Sequence, residues 1–328
     1  MMRRLLPALV LALASLLTCS PTGAAAQTIA VIPKGTTHEF WKSIHAGANR
    51  AAAELGVEVI WRGPLKEDDR EAQIAEVESF VSRGVSGIVL APLDDMALRV
   101  PVMGAARSGI PVVIIDSDLQ CDAYVSFVAT DNYAGGRMAG EHLAALLDSA
   151  GVVVMLRYQE GSASTSNREQ GFLDAIAAHP RLRVASANQY GGATTESAYK
   201  ASEHLLAPFR TAGGRLSVDG IFCPNESTTF GMLRALQDSE LAGTVRFVGF
   251  DSSPKLVQAL RAGELDALVL QDPVRMGYLG VRTLVQHLRG EAVPRRIDTG
   301  VHLITAANMD EPGPAQLLQP DLERWLNP

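Results

Sequence analysis

The stretch TIAVIPKGTTHEFWKSIHAGANRAAAELG, residues 28–56, contains the unit from which the rest of the chain is built. It opens with an apolar, β-rich run at 28–33 and continues into a segment of helical periodicity at 39–55, which Gly56 ends. The opening run is continuously apolar rather than alternating, which is typical of a parallel strand covered on both faces. The stretch therefore predicts one strand–helix unit of an α/β protein.

The same unit recurs along the chain in two series. The first series has further strand-like runs at 57–61, 87–92, 111–116 and 125–131, with helical stretches at 70–83 and 95–108. The pattern then restarts with runs at 152–158, 182–190, 220–224, 246–250 and 267–272. Two consecutive series predict an α/β fold of two doubly wound parallel-sheet lobes rather than one long sheet. The length of 328 residues agrees with two domains.

Charge and composition exclude some classes of function. The chain has 29 basic and 36 acidic residues and a formal net charge of −7, with the basic residues scattered, which argues against a nucleic-acid partner. Motifs of hydrolases, zinc enzymes and nucleotide- or dinucleotide-binding proteins are missing from the sequence, so we expect no catalytic activity, no metal and no cofactor.

The first 26 residues have the character of a signal peptide. Arg3 and Arg4 precede an apolar run at 5–17, and the small residues 24–26 suit cleavage near Ala26. This predicts a periplasmic mature protein, and no later stretch is apolar enough to span a membrane. The alternative is a lipid anchor at Cys19, although Thr18 stands where lipoproteins usually carry a small residue.

Cleavage would change both the charge and the cysteine count. It removes Arg3 and Arg4 and no acidic residue, so the net charge moves from −7 to −9. Cys121 and Cys223 remain, in runs assigned to different lobes. We expect two free thiols, with a disulfide as the alternative.

Polar and aromatic residues gather where the predicted strands end. Ligands of open parallel sheets bind beyond the carboxyl ends of the strands, so these residues predict a binding site. Carboxylates, amides and guanidinium groups suit a polyhydroxylated ligand, and aromatic faces suit a sugar ring. The candidate ligand-binding residues are Lys34, His38, Phe40, Trp41, Asp116, Arg168, Asn225, Glu226, Asp251 and Gln271.

Several of these residues have a structural alternative. Asp251, Asn225 and Asp131 could each cap a helix, and one of Phe40 and Trp41 could be ordinary core. His38 could lie on a loop surface. The acidic pairs at 68–69 and 94–95 are interpreted as helix caps or solvated faces.

A set of motifs, taken in order, resembles one family. TIAVIPKGTTHEFW (28–41), GIVLAPLDD (87–95), PVVIIDSD (111–118), VATDNYAGGRMAG (128–140), GIFCPNESTTFGMLRAL (220–236), RFVGFD (246–251) and LVLQDP (268–273) resemble the ribose-type periplasmic sugar-binding proteins of ABC importers, of the type I periplasmic binding protein superfamily. The resemblance covers nearly all of residues 28–310.

The resemblance implies a domain organisation and roles for particular residues. It implies three hinge crossings, near Thr130, Asp272 and Gly300. One lobe would comprise 27–130 plus 273–300 and the other 131–272 plus 301–310, with 1–26 as the signal peptide and 311–328 as a C-terminal tail that packs loosely or covers one lobe. Phe40 and Trp41 match the ring-stacking aromatics. The residues that match the hydroxyl-binding positions are Asp116, Arg168, Asn225, Asp251 and Gln271.

The sequence also departs from the ribose type. Lys34 and His38 stand where ribose binders carry small or amide residues, Ser117 replaces an Arg, and Ala91 replaces an Asn. The segment IPK (32–34), together with Asp116 and Pro224, instead resembles the autoinducer-2 binding proteins of the same superfamily. Their Asp-Gln pair is replaced here by Asn167-Arg168. The ligand therefore stays open among pentoses, hexoses, polyols, an autoinducer-2-like molecule and an acidic or phosphorylated sugar.

The predicted function is capture of a sugar, polyol or similar molecule by hinge closure, followed by delivery to an ABC permease, by a chain expected to be a monomer. One alternative is a sensor that docks on a chemoreceptor or histidine kinase. Another is a carbohydrate-active enzyme in which Asp116, Glu226 and Asp251 converge. A sugar-responsive repressor is excluded because a secretion signal stands where its helix-turn-helix would be.

Overall fold

The first half of the chain, together with one strand from near its end, builds one sheet, whose carboxyl edge carries part of the site. A computed structural model describes residues 27–327 of the protein. The strands of the first sheet are β1 (Thr28–Ile32), β2 (Glu58–Trp61), β3 (Gly87–Leu90), β4 (Val112–Ile115), β5 (Ser126–Ala129) and β11 (Arg296–Asp298). Their order is β11-β5-β4-β3-β1-β2, and every neighbouring pair is parallel. We call this sheet and its helices the first lobe.

The second half repeats this arrangement with one reversed strand. Its strands are β6 (Ala150–Arg157), β7 (Arg181–Tyr190), β8 (Gly220–Phe222), β9 (Arg246–Phe250), β10 (Ala267–Leu270) and β12 (His302–Thr305). Their order is β12-β10-β9-β8-β6-β7, and only the β10–β12 pair is antiparallel among these described strands. We call this sheet and its helices the second lobe. The predicted fold class, two α/β lobes built on parallel sheets, is confirmed.

Helices connect the strands and cover both faces of each sheet. They are α1 (Glu39–Leu55), α2 (Arg70–Arg83), α3 (Arg99–Arg107), α4 (Asn132–Leu146), α5 (Ala163–Ala177), α6 (Thr195–Leu206), α7 (Glu226–Asp238), α8 (Pro254–Ala262), α9 (Pro273–Leu288), α10 (Pro312–Leu318) and α11 (Glu323–Leu326). The predictions for 39–55 and 70–83 are confirmed. The helix expected from 95 begins later, because Asp94 Oδ1 accepts bonds from Met96 N and Ala97 N at 2.9 and 2.8 Å and holds a turn there.

The continuously apolar strands are buried on both faces. Val31 and Val89 belong to one apolar cluster, whereas Ile32 and Leu90, their neighbours in sequence, belong to the cluster on the opposite face. The second lobe likewise has two clusters. Each fully buried Val, Ile or Leu contributes about 1.5–3 kcal/mol to folding.

A second segment of the first lobe comes from near the end of the chain. Helix α9 packs so closely on α1 that a Cβ on Gly47 would lie 1.9 Å from Val274 O, which only glycine permits. Strand β11 then joins the first sheet and β12 the second. Thr130 Oγ1 lies 3.2 Å from Thr299 Oγ1 and donates to Gly300 O at 3.0 Å, so two of the three predicted crossings lie side by side. We propose that the lobes have the boundaries predicted from the sequence, with 27–130 and 273–300 in the first lobe and 131–272 and 301–310 in the second.

The C-terminal tail differs from the expectation that it packs loosely or covers one lobe. It forms α10 and α11 and contacts both lobes. Leu318 is buried in the core of the second lobe, while Trp325 O on α11 accepts a bond of 2.8 Å from Asn49 Nδ2 on α1. An apolar side chain makes the contact with the second lobe, and a main-chain oxygen makes the hydrogen bond to the first.

Some predictions concern the terminus or the cysteines. The signal peptide at 1–26 and the alternative anchor at Cys19 lie outside the described residues. Within residues 27–327, none of the helices combines the length and the apolar character that crossing a membrane requires. Cys121 and Cys223 are both free, as predicted; Cys121 is half-buried and Cys223 fully buried.

Candidate functional site

The carboxyl edges of the two sheets face each other across a cavity of about 320 Å³, measured with its opening to solvent. Most of this volume is open solvent at the mouth, and the enclosed space is only about 30 Å³, so side chains fill most of the cavity. All the predicted ligand-binding residues line it. Four further residues line it as well, namely Glu67, Tyr158, Ser164 and Thr165.

Two aspartates occupy equivalent places in the two lobes. Asp116 directly follows β4 and Asp251 directly follows β9. Both have left-handed backbone conformations, with φ of 62° and 65°. Such a conformation costs a residue other than glycine about 1–3 kcal/mol and is concentrated at functional sites. In each lobe it turns a carboxylate into the cleft at the end of a buried strand.

Lys34 pairs with Asp116. Its Nζ lies 2.8 Å from Asp116 Oδ2, and both side chains are 4% exposed. The same Nζ donates across the cleft to Ser164 Oγ at 3.1 Å and Ser162 Oγ at 3.3 Å. The positive charge of Lys34 is therefore balanced within the site, and its hydrogen bonds connect the two lobes.

Arg168 is held by its own lobe. Its Nε donates to Asn132 Oδ1 at 2.7 Å and its Nη1 to Pro224 O at 2.9 Å. The guanidinium lies 4.0 Å from the centre of the Phe250 ring. Helix α4 approaches so closely that a Cβ on Gly136 would meet Arg168 O at 1.9 Å. These contacts fix the guanidinium in place before any ligand contact is made.

One nitrogen of the Arg168 guanidinium has no hydrogen-bond acceptor among the described residues. The guanidinium lies between two carboxylates, 4.0 Å from Asp116 Oδ1 and 3.7 Å from Asp251 Oδ2. Its Nη2 is buried and has no hydrogen-bond acceptor among residues 27–327. A buried donor without an acceptor costs about 1–3 kcal/mol or more, so this atom needs an acceptor that the described residues do not supply.

Asp251 is joined to Gln271 and to α7. Its Oδ1 accepts from Gln271 Nε2 at 2.8 Å and its Oδ2 from Glu226 N at 3.2 Å. Burial raises the pKa of Asp251, and the charge of Arg168 and the Gln271 bond oppose that rise. Gln271 Oε1 is a buried acceptor with no donor among the described residues. The site thus offers a ligand one open donor, Arg168 Nη2, and one open acceptor.

The helix-capping alternatives have mixed outcomes. Ser253, not Asp251, caps α8, accepting from Leu256 N. Asn225 does cap α7, accepting from Thr228 N at 3.3 Å, and also lines the cavity. Asp131 caps α4 and is absent from the cavity lining. Of the acidic pairs, Asp69 caps α2 as interpreted.

Glu67 is the main residue that the sequence did not reveal. It is 6% exposed. Its Oε1 accepts from Trp41 Nε1 at 2.7 Å and lies 2.5 Å from His38 Nδ1, and its Oε2 accepts from Tyr158 OH at 2.5 Å. It lies in the loop that follows β2, so the rule that ligands bind beyond the carboxyl ends of parallel strands also applies to it.

His38 forms an ion pair with Glu67. The alternative, that His38 lies on a loop surface, is therefore wrong. Burial would lower the pKa of His38, but the hydrogen bond and charge of Glu67, with the charges of Glu226 and Asp251, raise it to about 9. Burial would raise the pKa of Glu67, but its bonds to His38, Tyr158 and Trp41 lower it to about 2. His38 is therefore an imidazolium at neutral pH.

Glu226 reaches across the cleft to the start of α1. Its Oε2 accepts from Phe40 N at 3.2 Å, an amide of the first helical turn that has no partner within the helix. Burial raises the pKa of Glu226 to about 7; His38 and the Phe40 amide oppose the rise, and Asp251 and Glu67 add to it.

Phe40 and Trp41 line the cavity together. Their rings meet edge to face at 4.9 Å. Both side chains are buried in an apolar cluster of the first lobe, so both are core residues as well as cavity walls. Within residues 27–327, no group of His, Cys, Asp and Glu has the arrangement of a metal site.

The comparisons with known proteins all indicate the same family. A family model described as a periplasmic binding protein domain matches residues 29–292. The ribose import binding protein of Haemophilus influenzae is 30% identical over 289 residues, which cover 88% of this chain and 95% of that protein.

Solved structures agree with this. The periplasmic component of an ABC-type sugar transport system from Hahella chejuensis has a TM-score of 0.81 at 37% identity and covers 85% of this chain and 99% of its own. A carbohydrate transporter solute-binding protein from Agrobacterium radiobacter, in complex with D-arabinose, has a TM-score of 0.83 at 34% identity. The match covers 90% of this chain and 99% of that protein. With the family model spanning most of the sequence, this chain belongs to the periplasmic binding protein family.

Proposed function

We propose that this protein captures a neutral monosaccharide, or a polyhydroxylated molecule of that size, between its lobes and delivers it to an ABC importer. The observation that carries the proposal is the pair of open groups in the buried cleft, the donor Arg168 Nη2 and the acceptor Gln271 Oε1. A hydroxyl group both donates and accepts, so adjacent hydroxyls on a ring can satisfy both atoms.

The charge balance of the cleft supports a neutral ligand. Lys34 is paired with Asp116, Arg168 lies between Asp116 and Asp251, and His38 is paired with Glu67. No positive charge in the lining is left without a carboxylate among the described residues. An acidic or phosphorylated sugar would bring a further negative charge into this balanced site, which costs free energy in a buried setting.

The relatives support transport of a small sugar. One is a ribose import binding protein, and one structural neighbour is in complex with D-arabinose. From these names we propose a periplasmic location, with residues 1–26 removed, and an ABC permease as the partner. Aromatic side chains Phe40 and Trp41 would cover one face of the sugar ring.

A thermal-shift screen of residues 27–328 tests the ligand class. The probes are D-ribose, D-arabinose, D-glucuronate, ribose 5-phosphate and autoinducer-2. A ligand at 100 times its dissociation constant stabilises the folded state by about 2.7 kcal/mol, which corresponds to a Tm increase of about 5–11 °C. We expect an increase with a neutral sugar and none with the two acidic probes.

Matched variants connect a positive result to the site. Gln271→Ala removes the open acceptor and should abolish the shift, whereas Asp174→Asn changes an exposed carboxylate on α5 and should preserve it. A shift with the acidic probes alone would contradict the neutral-ligand proposal. A flat response to every probe would contradict capture of a sugar.

A further inference from the structure

Glu67 lies in the cleft, and each of its oxygens already accepts a hydrogen bond from a protein donor. Its Oε1 is used by Trp41 Nε1 and His38 Nδ1, and its Oε2 by Tyr158 OH. Its main-chain oxygen accepts from Gln159 Nε2 at 2.9 Å. It therefore differs from Arg168 and Gln271, each of which has an open polar atom.

The partners of Glu67 come from both lobes. His38 and Trp41 belong to α1 and the loop before it, in the same lobe as Glu67, whereas Tyr158 and Gln159 follow β6 in the second lobe. The bonds to Tyr158 and Gln159 therefore exist only when the cleft is closed. If the lobes separate, water can replace the Tyr158 hydroxyl, so only the closed state depends on that bond.

The partners in the first lobe connect Glu67 to the cavity wall. Trp41 and His38 both line the cavity. The indole has one donor, Nε1, and Glu67 accepts it, which fixes the rotation of the ring. The bond at Nδ1 likewise fixes the imidazolium ring.

We infer that Glu67 is a positioning residue, which holds the lobes closed through Tyr158 and orients Trp41 and His38 without touching the ligand. The effect on ligand affinity rests on the proposed function, because closure must be part of binding. The effect on closure itself does not, since it can be measured on the protein alone.

The test uses two substitutions, each with a matched control. Tyr158→Phe deletes the cross-lobe hydroxyl and Glu67→Gln removes the charge. Tyr133→Phe deletes an exposed hydroxyl bonded to Asp174, and Glu71→Gln changes an exposed glutamate on α2. Spin labels at the exposed positions Arg107 and Ala207, with Cys121 replaced by Ser, report the distance between the lobes without ligand.

We expect Tyr158→Phe and Glu67→Gln to shift the interlobe distances toward longer values and both controls to match the unsubstituted protein. An NMR titration of His38 is the second measurement. Glu67→Gln should lower the His38 pKa from about 9 toward its ordinary 6.5, and Tyr158→Phe should leave it raised, because Glu67 forms the hydrogen bond to the imidazolium and acts on it more strongly than Glu226 and Asp251 do. If Glu67 only stabilised the fold, the two substitutions would not lengthen the interlobe distances alike while differing in their effect on the His38 pKa.

The outcomes distinguish the two proposals. With D-arabinose as the probe, Tyr158→Phe should weaken binding about tenfold, the loss expected for one hydrogen bond to a charged group. If no sugar binds the unsubstituted protein, the proposed function fails while the distances still decide the role of Glu67. If Tyr158→Phe leaves the distances unchanged, Glu67 does not hold the lobes closed. If Glu67→Gln fails to fold, Tyr158→Phe still decides.

Discussion

The two walls of the cleft are supported in different ways. In the second-lobe wall, Arg168 and Asp251 are held from within their own lobe, through Pro224 O and Gln271, whereas Glu226 reaches across the cleft to Phe40 N. The first-lobe wall instead completes its bonds across the cleft, with Lys34 reaching the serines of the α5 turn and Glu67 reaching Tyr158.

This difference separates ligand binding from lobe closure. A wall whose side chains are already fixed loses little conformational entropy on binding, so it can hold a ligand while the cleft is open. A wall whose bonds need the other lobe stabilises the closed state instead. Substitution of Arg168 or Asp251 should therefore remove binding outright, and substitutions that break bonds across the cleft should change how readily it closes.

The largest effect should follow Arg168→Ala in the second-lobe wall. The change removes the open donor and leaves Asp116 and Asp251 without their shared cation. We expect complete loss of sugar binding and a loss of about 3–5 kcal/mol in the free energy of unfolding, the usual effect of breaking a buried charge arrangement. Calorimetry and urea unfolding measure the two quantities. Arg137→Ala, at an exposed residue on α4, is the control. If Arg168→Ala unfolds at the same urea concentration as the unsubstituted protein, the prediction is wrong.

In the first-lobe wall, Asp116→Asn should change which ligand binds. Lys34, 4% exposed, then lacks its carboxylate partner and the cleft gains a positive charge. We expect affinity for D-arabinose to fall about 10- to 100-fold, as for a lost charged contact. Affinity for D-glucuronate should become measurable, because its carboxylate can replace that of Asp116. Isothermal titration of both sugars is the measurement, with Asp118→Asn as the neighbouring control. No gain for glucuronate would mean that Lys34 does not present its charge to the ligand.

The two walls also differ in how far they could be predicted from sequence. Asp116, Asp251 and Gln271 each follow a buried parallel strand, and such strands end at one edge of the sheet, so their convergence in the cavity follows from the pattern. Their ligand-binding role stays a prediction. Glu67 lies in the charged run Lys66-Glu67-Asp68-Asp69, which looks solvent-exposed until His38, Trp41 and Tyr158 fold around it.

Short elements late in the chain cannot be predicted from sequence for a related reason. β11 and β12 have 3 and 4 residues, and each adds to the edge of a sheet that already exists. Their strand structure is therefore set by the partner strand rather than by their own sequence. The tail helices depend in the same way on cores that only the folded lobes provide.

A third prediction concerns pH and again separates closure from ligand contact. Glu226 has a pKa of about 7 in the closed cleft, against 4.5 for an ordinary glutamate, and His38, Glu67 and Asp251 exert charges on it. Between pH 4.5 and pH 7, Glu226 therefore takes up a proton when the cleft closes, and the closed state is favoured as pH falls. We expect affinity for D-arabinose to rise about tenfold from pH 8 to pH 6.

His38 does not interfere in that range, because its raised pKa keeps it protonated at both values. Glu226→Gln cannot titrate and should give a flat profile, whereas Glu71→Gln should keep the original one. Binding isotherms at each pH provide the measurement. An affinity that falls as the solution is acidified would show that Glu226 is not the titrating group.

The smallest effect should come from the tail, which belongs to neither wall but contacts both lobes. Leu318 is buried in the second-lobe core, and Trp325 O accepts from Asn49 Nδ2 on α1. Opening the hinge would break or strain the contact with α1, so the contact adds to the stability of the closed state. Truncation after Gln319 removes α11 and leaves Leu318 in place. A hydrogen bond contributes about 1 kcal/mol, so affinity for D-arabinose should fall about three- to fivefold.

The truncation also tests whether closure depends on the cleft walls alone. Glu323→Gln, an exposed change on α11, should bind as the full chain does, and Asn49→Ala should reproduce most of the truncation effect. The interlobe distances should lengthen less than in Tyr158→Phe, because the tail lies outside the cavity that contains Glu67 and Tyr158. If the truncated protein opens as far as Tyr158→Phe, the tail shares control of closure equally with the first-lobe wall. The division of roles between the two walls would then be incomplete.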